Sequence, residues 1–343
     1  MDKNCSDLSC RRNRVGGQAI IEGVMMKHDE NVSIAVRKED GSIEIINQKF
    51  TSVKKKCKFF RLPLIRGVVG FIESLILSVK TMNTGTDALG LDEDEKDKDK
   101  DKDNKKSGSS TFFIMLMSVI FGAALAILLF SVLPTYAARG VEMLFGELNR
   151  YVKALIEGVV KVGVFILYIV SISLMKDIKR TFQYHGAEHK SIACYEKGLE
   201  LTPENAKKCT RFHPRCGTSF MFVMIFIGII VGMFIPFWDK LYLRIILKIL
   251  LIPVIVGVGY EFIMYAGKHD NLFTKICSAP GLWMQRLTTK EPDEHELAVA
   301  ICALKSSMPE EFPDFSPEEY FITREENKDH IMYEDEKKGN REK

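Results

Sequence analysis

Phe112-Phe-Ile-Met-Leu-Met-Ser-Val-Ile-Phe-Gly-Ala-Ala-Leu-Ala-Ile-Leu-Leu-Phe-Ser-Val-Leu133 is 22 residues long and carries no charge. A helix rises about 1.5 Å per residue, so this stretch alone crosses the hydrocarbon core of a bilayer. Three more long apolar runs follow, at 154–175, 220–237 and 241–266. The chain is 46% apolar, a value that also suits a soluble protein, so the decision rests on where those residues fall. Helices buried in a soluble core seldom stay apolar for so long. The expected fold is an all-α polytopic membrane protein with about four transmembrane helices.

Basic residues give the orientation. The connector from Lys176 to Arg215 holds nine Lys and Arg, the one from Ala138 to Lys153 three, and the turn at Asp239-Lys240 one. Lys and Arg are retained on the cytoplasmic side, which places the 176–216 loop and both termini there. Arg11-Arg12-Asn13-Arg14 at the N-terminus agrees, and no apolar stretch resembling a signal peptide follows it.

The remaining segments divide by pattern. Residues 1–61 form an N-terminal cytoplasmic region in which Val32, Ile34 and Val36 alternate, Asp40-Gly41 offers a turn, and Ile43 and Ile45 alternate again: a β-hairpin. Residues 62–82 read as an interfacial amphipathic helix, with charges at 66, 73 and 80 making a narrow polar stripe. A fifth span is the alternative, disfavoured by Glu73 and by the flanking Lys54-Lys55-Lys56-Cys57-Lys58. Residues 83–110 are expected to be a disordered charged linker, because 91–110 carries eight acids and six lysines and only Leu91 is apolar. After the transmembrane domain at 111–270, residues 271–307 read as amphipathic, with Leu297, Ala300, Ile301 and Leu304 at helical spacing and Trp283 as an interfacial anchor. Residues 308–343 are a flexible polar tail.

Chemistry concentrates at His185-Gly-Ala-Glu-His189-Lys190. His185 and His189 share a helix face, and H-x-x-E-H is a pattern in which two histidines hold zinc and the glutamate polarises a water. The bland alternative is a helix end whose histidines meet carbonyls or headgroups. His213-Pro-Arg-Cys216 lies ahead of the third span and offers two more zinc donors from a turn. Glu261, one to two turns inside the last span, is ionisable at membrane depth and is expected either to supply an oxygen ligand or to pair with Lys268 or Arg180. Glu157 and Lys161, at i, i+4, are expected to pair with each other. All eight cysteines fall on the cytoplasmic side of this topology, so disulfides are not expected. Basic runs are short and mixed with acids, which argues against nucleic acid as a partner.

Four separated blocks carry a resemblance: Gly16-Gly-Gln-Ala-Ile-Ile-Glu22-Gly-Val-Met-Met26, the His185–Lys190 segment, His213-Pro-Arg-Cys-Gly-Thr-Ser219, and Pro280-Gly-Leu-Trp-Met-Gln-Arg-Leu-Thr-Thr289. Together, over roughly residues 10 to 306, they resemble the YqhQ-like family of bacterial multi-pass membrane proteins, which carry a domain of unknown function and are often described as metal-dependent enzymes. The resemblance implies a bacterial cytoplasmic membrane and puts Glu22, His185, Glu188, His189, His213, Cys216 and Glu261 within or beside the family's motifs. It supplies no reaction.

Three functions are compatible with these residues. The first is a zinc-dependent hydrolase at the cytoplasmic face, acting on a membrane-associated substrate, with His185, His189 and one of His213, Cys216 or Glu261 holding the metal and Glu188 as general base. The second is a non-catalytic scaffold stapled by a closed His/Cys site. The third is a transporter with Glu261 on its pathway. Three ligands with Glu188 near a vacant position would favour the first, and four closing tetrahedrally would favour the second.

Overall fold

In a computed structural model of the chain, the described residues are 11, 14–90, 117–118, 120–213, 216–235, 241–266, 269 and 271–315. The linker at 91–110, the turn at Asp239-Lys240 and the tail beyond residue 315 lie outside them.

Four strands form an antiparallel meander in the order β1 (Val15–Ile20), β2 (Gly23–His28), β3 (Asn31–Arg37) and β4 (Ile43–Lys49). The expected hairpin is therefore the second half of a larger sheet. Its turn is as expected, with Gly41 at φ +85° and the Asp40 carboxylate accepting the Ser42 N–H at 2.9 Å. Gly16-Gly17 masks the β1 pattern, and the two-residue loop Ile21-Glu22 places Glu22 at φ +50°, a conformation that sequence seldom signals for glutamate.

Both faces of the sheet are covered. On one, Val24, Met26, Ala35 and Ile43 pack against helices later in the chain. On the other, Ile20, Met25, Ile34 and Val36 meet Leu77 of α1 (Ile65–Ala88). Helix α1 runs six residues beyond the expected 82, into the segment assigned to the linker. It exposes Ile72, Leu75, Ile76 and Val79, an i, i+3, i+4, i+7 apolar stripe.

Four helices are long and apolar enough to cross a membrane: α2 (Ile120–Phe145), α3 (Arg150–Ser173), α6 (Gly217–Phe234) and the Tyr242–Ala266 helix, which divides into α7 (Leu241–Leu250) and α8 (Ile252–Ala266). Between α3 and α6 lie α4 (Lys176–Glu196) and the short α5 (Pro203–Lys207). The spans turn large apolar side chains outward, among them Phe121 at 71% exposure and Leu167 at 67%. Such faces suit lipid and would aggregate in water, consistent with a multi-pass membrane protein.

The first span extends well past the expected Leu133. A π-helical turn at Leu128–Val132 passes the Leu133 N–H to the Leu128 carbonyl, and Pro134 then falls at the start of the following α-helical segment, where its missing donor costs little. Much of the connector read as 138–153 is thus helix. The last span breaks at Leu251 because Pro253 cannot donate to the carbonyl four residues earlier.

Two helices complete the chain: α9 (Leu272–Thr288) and α10 (Glu294–Ser307). The latter was expected to be amphipathic, yet Leu297 through Leu304 are all at most 5% exposed. It lies between the sheet, α4 and α5, and is the core of a polar-faced lobe. Ala298, Cys302 and Ala303 occupy faces outside the expected apolar stripe, and their small size lets neighbours approach on every side.

Candidate metal centre

Helix α4 has a charged, polar sequence, yet it buries Tyr184 and Gly186 through Tyr195, with His185 half-buried between them. Two close approaches fix its position. A Cβ on Gly186 would lie 2.0 Å from the Lys290 carbonyl oxygen, so only glycine lets α4 sit against the 289–292 segment. A Cβ on Gly17 would lie 2.8 Å from Cγ of Glu188, so β1 makes room for the glutamate. Gly17 and Gly186 are thus both contacts, which sequence alone does not reveal.

His185 and His189 fall one turn apart, with ring centroids 4.5 Å from each other. Their Nδ1 atoms are engaged: His185 at 2.9 Å from the Thr288 carbonyl and His189 at 2.5 Å from the Arg211 carbonyl. A carbonyl only accepts, so each Nδ1 carries a proton and Nε2 is the ring nitrogen left to meet a ligand. Thr288 ends α9, where carbonyls lack intrahelical partners. Glu291 holds the other side, pairing with Lys190 and Arg211 at 2.8 Å each.

The third group arrives from α6. Cys216 is its N-cap residue, accepting from the Thr218 N–H, and its Sγ is 3.2 Å from His185 Nε2. Donor atoms of His185, His189 and Cys216 all lie within 4.8 Å of one another. This juxtaposition shifts the acid-base chemistry of the cluster. Burial disfavours a charged His185, but the Cys216 sulfur outweighs it and carries the imidazole up to about 9. Burial likewise disfavours the Cys216 thiolate, and His185 and His189 overcome it, holding the thiol well below its usual range. Glu188 is displaced upward by burial, against the pull of both histidines, and its carboxylate is 4.0 Å from His185 Nε2.

The two other expected ligands are placed differently. His213 sets its ring 5.7 Å from that of His189, tilted by 43°, but directs Nε2 to 3.7 Å from Glu196. Its backbone is clamped by Gln285, which accepts the His213 N–H at 2.8 Å and donates to the His213 carbonyl at 2.6 Å and to Ser219 at 2.8 Å. Glu261 is not in the group. Its two oxygens receive Nε and Nη2 of Arg66 at 2.7 and 2.5 Å, so it ties α8 to α1, with a partner different from either one expected. Glu22 also stands apart: it pairs with Arg180 and accepts from Tyr184, fastening the β1–β2 turn to α4. Sequence reasoning missed Gln285 and the Thr288 and Arg211 carbonyls; backbone acceptors have no sequence signal, and Gln285 sits inside a motif block without a chemical reason to single it out.

The donor set fits a borderline-soft divalent ion such as zinc: two imidazoles whose Nδ1 partners fix the ring orientation, with a metal taking the place of the His185 Nε2 proton, and a thiol already acidified. The described cysteines are free thiols.

Four helices long and apolar enough to cross a membrane, beside a lobe with a His/His/Cys cluster, are consistent with a multi-pass membrane protein that has a candidate metal site. Residues 62–310 match the profile of a family described as "Protein of unknown function (DUF1385)". The chain is 36% identical over 293 residues to "Uncharacterized protein YqhQ" of Bacillus subtilis (strain 168), covering 83% of this chain and 89% of that protein. The chain belongs to this DUF1385, YqhQ-like family. No solved structure matches it.

Proposed function

We propose that the protein is a metal-dependent hydrolase, with zinc held by His185, His189 and Cys216 and the site at the cytoplasmic face of the membrane. The observation that carries this reading is the convergence of donor atoms of His185, His189 and Cys216 within 4.8 Å, with each Nδ1 already held by a backbone carbonyl. Three protein donors would leave a position open to water, as in catalytic rather than closed structural zinc sites. When bound, zinc supplies Lewis acidity and brings the pKa of water towards neutrality. Glu188 then takes the proton of the attacking water and returns it to the leaving group, a role suited to a buried carboxylate beside the ligands. His213, turned towards Glu196, is a candidate positioning group for the substrate's polar atoms.

The test is turnover by zinc-loaded protein in nanodiscs, with p-nitrophenyl acetate as the probe ester. Glu188→Gln is expected to keep its metal and lose activity by at least about 100-fold, the usual worth of a general base. Turnover that is indifferent to zinc, or unchanged in Glu188→Gln, overturns the catalytic reading.

A structural site is the second reading. It is favoured by the place of the cluster, where α4, the α6 N-cap and the α9 C-terminus meet. There, chelation would lower the unfolding temperature while Glu188→Gln changed nothing but packing.

A further inference from the structure

A second polar cluster lies at the other end of the bundle. Cys216 caps the N-terminus of α6, whereas this cluster meets Gly228, Val231 and Ile235, at least twelve residues or about 18 Å further along the helix. Its centre is Glu157 of α3, 2% exposed. Thr135 donates to one carboxylate oxygen at 2.7 Å, and Arg244 and Lys248 of α7 share the other at 2.9 and 3.0 Å. Lys248 also donates to Thr135 at 3.0 Å. The expected Glu157–Lys161 pair is therefore not what satisfies Glu157. One carboxylate serves two cations, and Lys161, a turn along α3, has no hydrogen-bond or ion-pair partner among the described residues.

Lys161 and Lys248 instead line one wall of a cavity of about 270 Å3, partly open at the side of the bundle. Phe130, Val231, Ile252 and Ile255 make up much of the rest. Cations inside spans are costly unless they meet an opposite charge, and such residues mark sites for ligands. A site with two ammonium groups and a lining that is otherwise apolar but for Ser131 fits an anionic head joined to a hydrocarbon tail. Its volume is at the small end of ligand pockets, enough for a phosphate-glycerol head and the first methylenes, with the remaining chain lying along the lipid-facing helices.

We propose that this cavity is a binding site for an anionic phospholipid, its phosphate held by Lys161 and Lys248 and its acyl chain leaving past Ile252 and Ile255. The site is separate from the His/His/Cys cluster and stands whether or not that cluster is catalytic. Electrostatic complementarity selects the head, because a zwitterionic lipid brings a choline cation to the same wall and loses much of the gain.

Native mass spectrometry of the full chain released from detergent tests this, with phosphatidylglycerol, phosphatidylcholine and glycerol 3-phosphate as probes. Phosphatidylglycerol is expected to be retained at least about tenfold better than phosphatidylcholine, the worth of one charge-assisted hydrogen bond. Lys161→Gln should remove that preference and Lys161→Arg should restore it. Gly228→Leu keeps every charge and fills the cavity, since a Cβ at 228 meets only Ile255 Cδ1, at 3.8 Å; it should abolish retention even if Lys161→Gln fails to fold. Equal retention of the two lipids, wild-type retention in both Lys161→Gln and Gly228→Leu, or glycerol 3-phosphate binding as tightly as the lipid would each overturn the proposal.

Discussion

Gly186→Ala separates two physical effects of opposite sign. In an exposed helix, alanine is about 1 kcal/mol better than glycine, so propensity alone calls for a more stable protein. Here the added methyl would lie 2.0 Å from the Lys290 carbonyl oxygen and 3.4 Å from the Pro292 ring. Real Cβ contacts stay beyond 3.0 Å, so α4 and the 289–292 segment must separate by at least 1.0 Å, the difference between 3.0 and 2.0. No rotamer change relieves the clash, since the atom at 2.0 Å belongs to the Lys290 main chain. The segment is also tethered by the Lys290 N–H to the Phe182 carbonyl at 2.8 Å and by Lys190 to Glu291 at 2.8 Å. Overpacking of this kind costs about 3 kcal/mol at the upper end of its range, leaving a net loss of about 2 kcal/mol after the propensity gain. That corresponds to a fall of about 4–8 °C in unfolding temperature for a unit of this size. Moving α4 also carries His185 and His189 away from Cys216, so metal affinity should fall by about 10- to 100-fold, as when supporting partners of a site are removed. Thermal unfolding in detergent and metal titration check both. An unfolding temperature that rises, with metal affinity unchanged, would refute the close-packing argument for this glycine.

Glu261→Gln should leave metal content unaltered, because Glu261 is bound to Arg66 and not to the cluster; the variant should instead loosen α1, seen as faster tryptic cleavage around Lys54–Arg61, at a stability cost of no more than about 1 kcal/mol. Glu296 caps α10 through the Asp293 N–H, and burial followed by the nearby Asp293 carboxylate carries its pKa up to about 7. Its folded value lies above its unfolded one, so the folded state gains from the proton at low pH and loses that gain as pH rises from about 4.5 to about 7. Glu296→Gln, which preserves the capping box, should be neutral in unfolding temperature at pH 4 and stabilising at pH 8, by up to about 3 kcal/mol; a variant equally stable relative to wild type at both values contradicts this. Gly17→Ala should disturb Glu188, whose Cγ and Oε1 would lie 2.8 and 2.9 Å from the new methyl, and cut probe-ester turnover while metal content holds; equal turnover counts against Glu188 as the base.

The four long apolar helices were readable in the sequence because an unbroken apolar stretch is a one-dimensional property. Their ends were less so. Pro134 reads as a stop, and only the π turn before it lets the helix continue. Alanines in α10 count neither as polar nor as strongly apolar, so a helix buried on all sides looked amphipathic. In the site, His185, His189 and Cys216 were legible because metal-binding residue types are few and their spacing fits a helix and a turn. Depth in the membrane marked Glu261 as special without revealing why: its partner Arg66 is 195 residues away, and no local pattern joins them. The same limit hid Arg244 and Lys248, which turn Glu157 from half of a local pair into the centre of a buried cluster.

Metal analysis of the purified full chain tests the central claim most directly. Protein reconstituted with zinc and freed of excess should carry one ion per chain, and His189→Ala and Cys216→Ala should each lose it while Glu261→Gln keeps it. Wild-type protein that takes up no metal, or a Cys216→Ala variant with the full complement, would contradict the account.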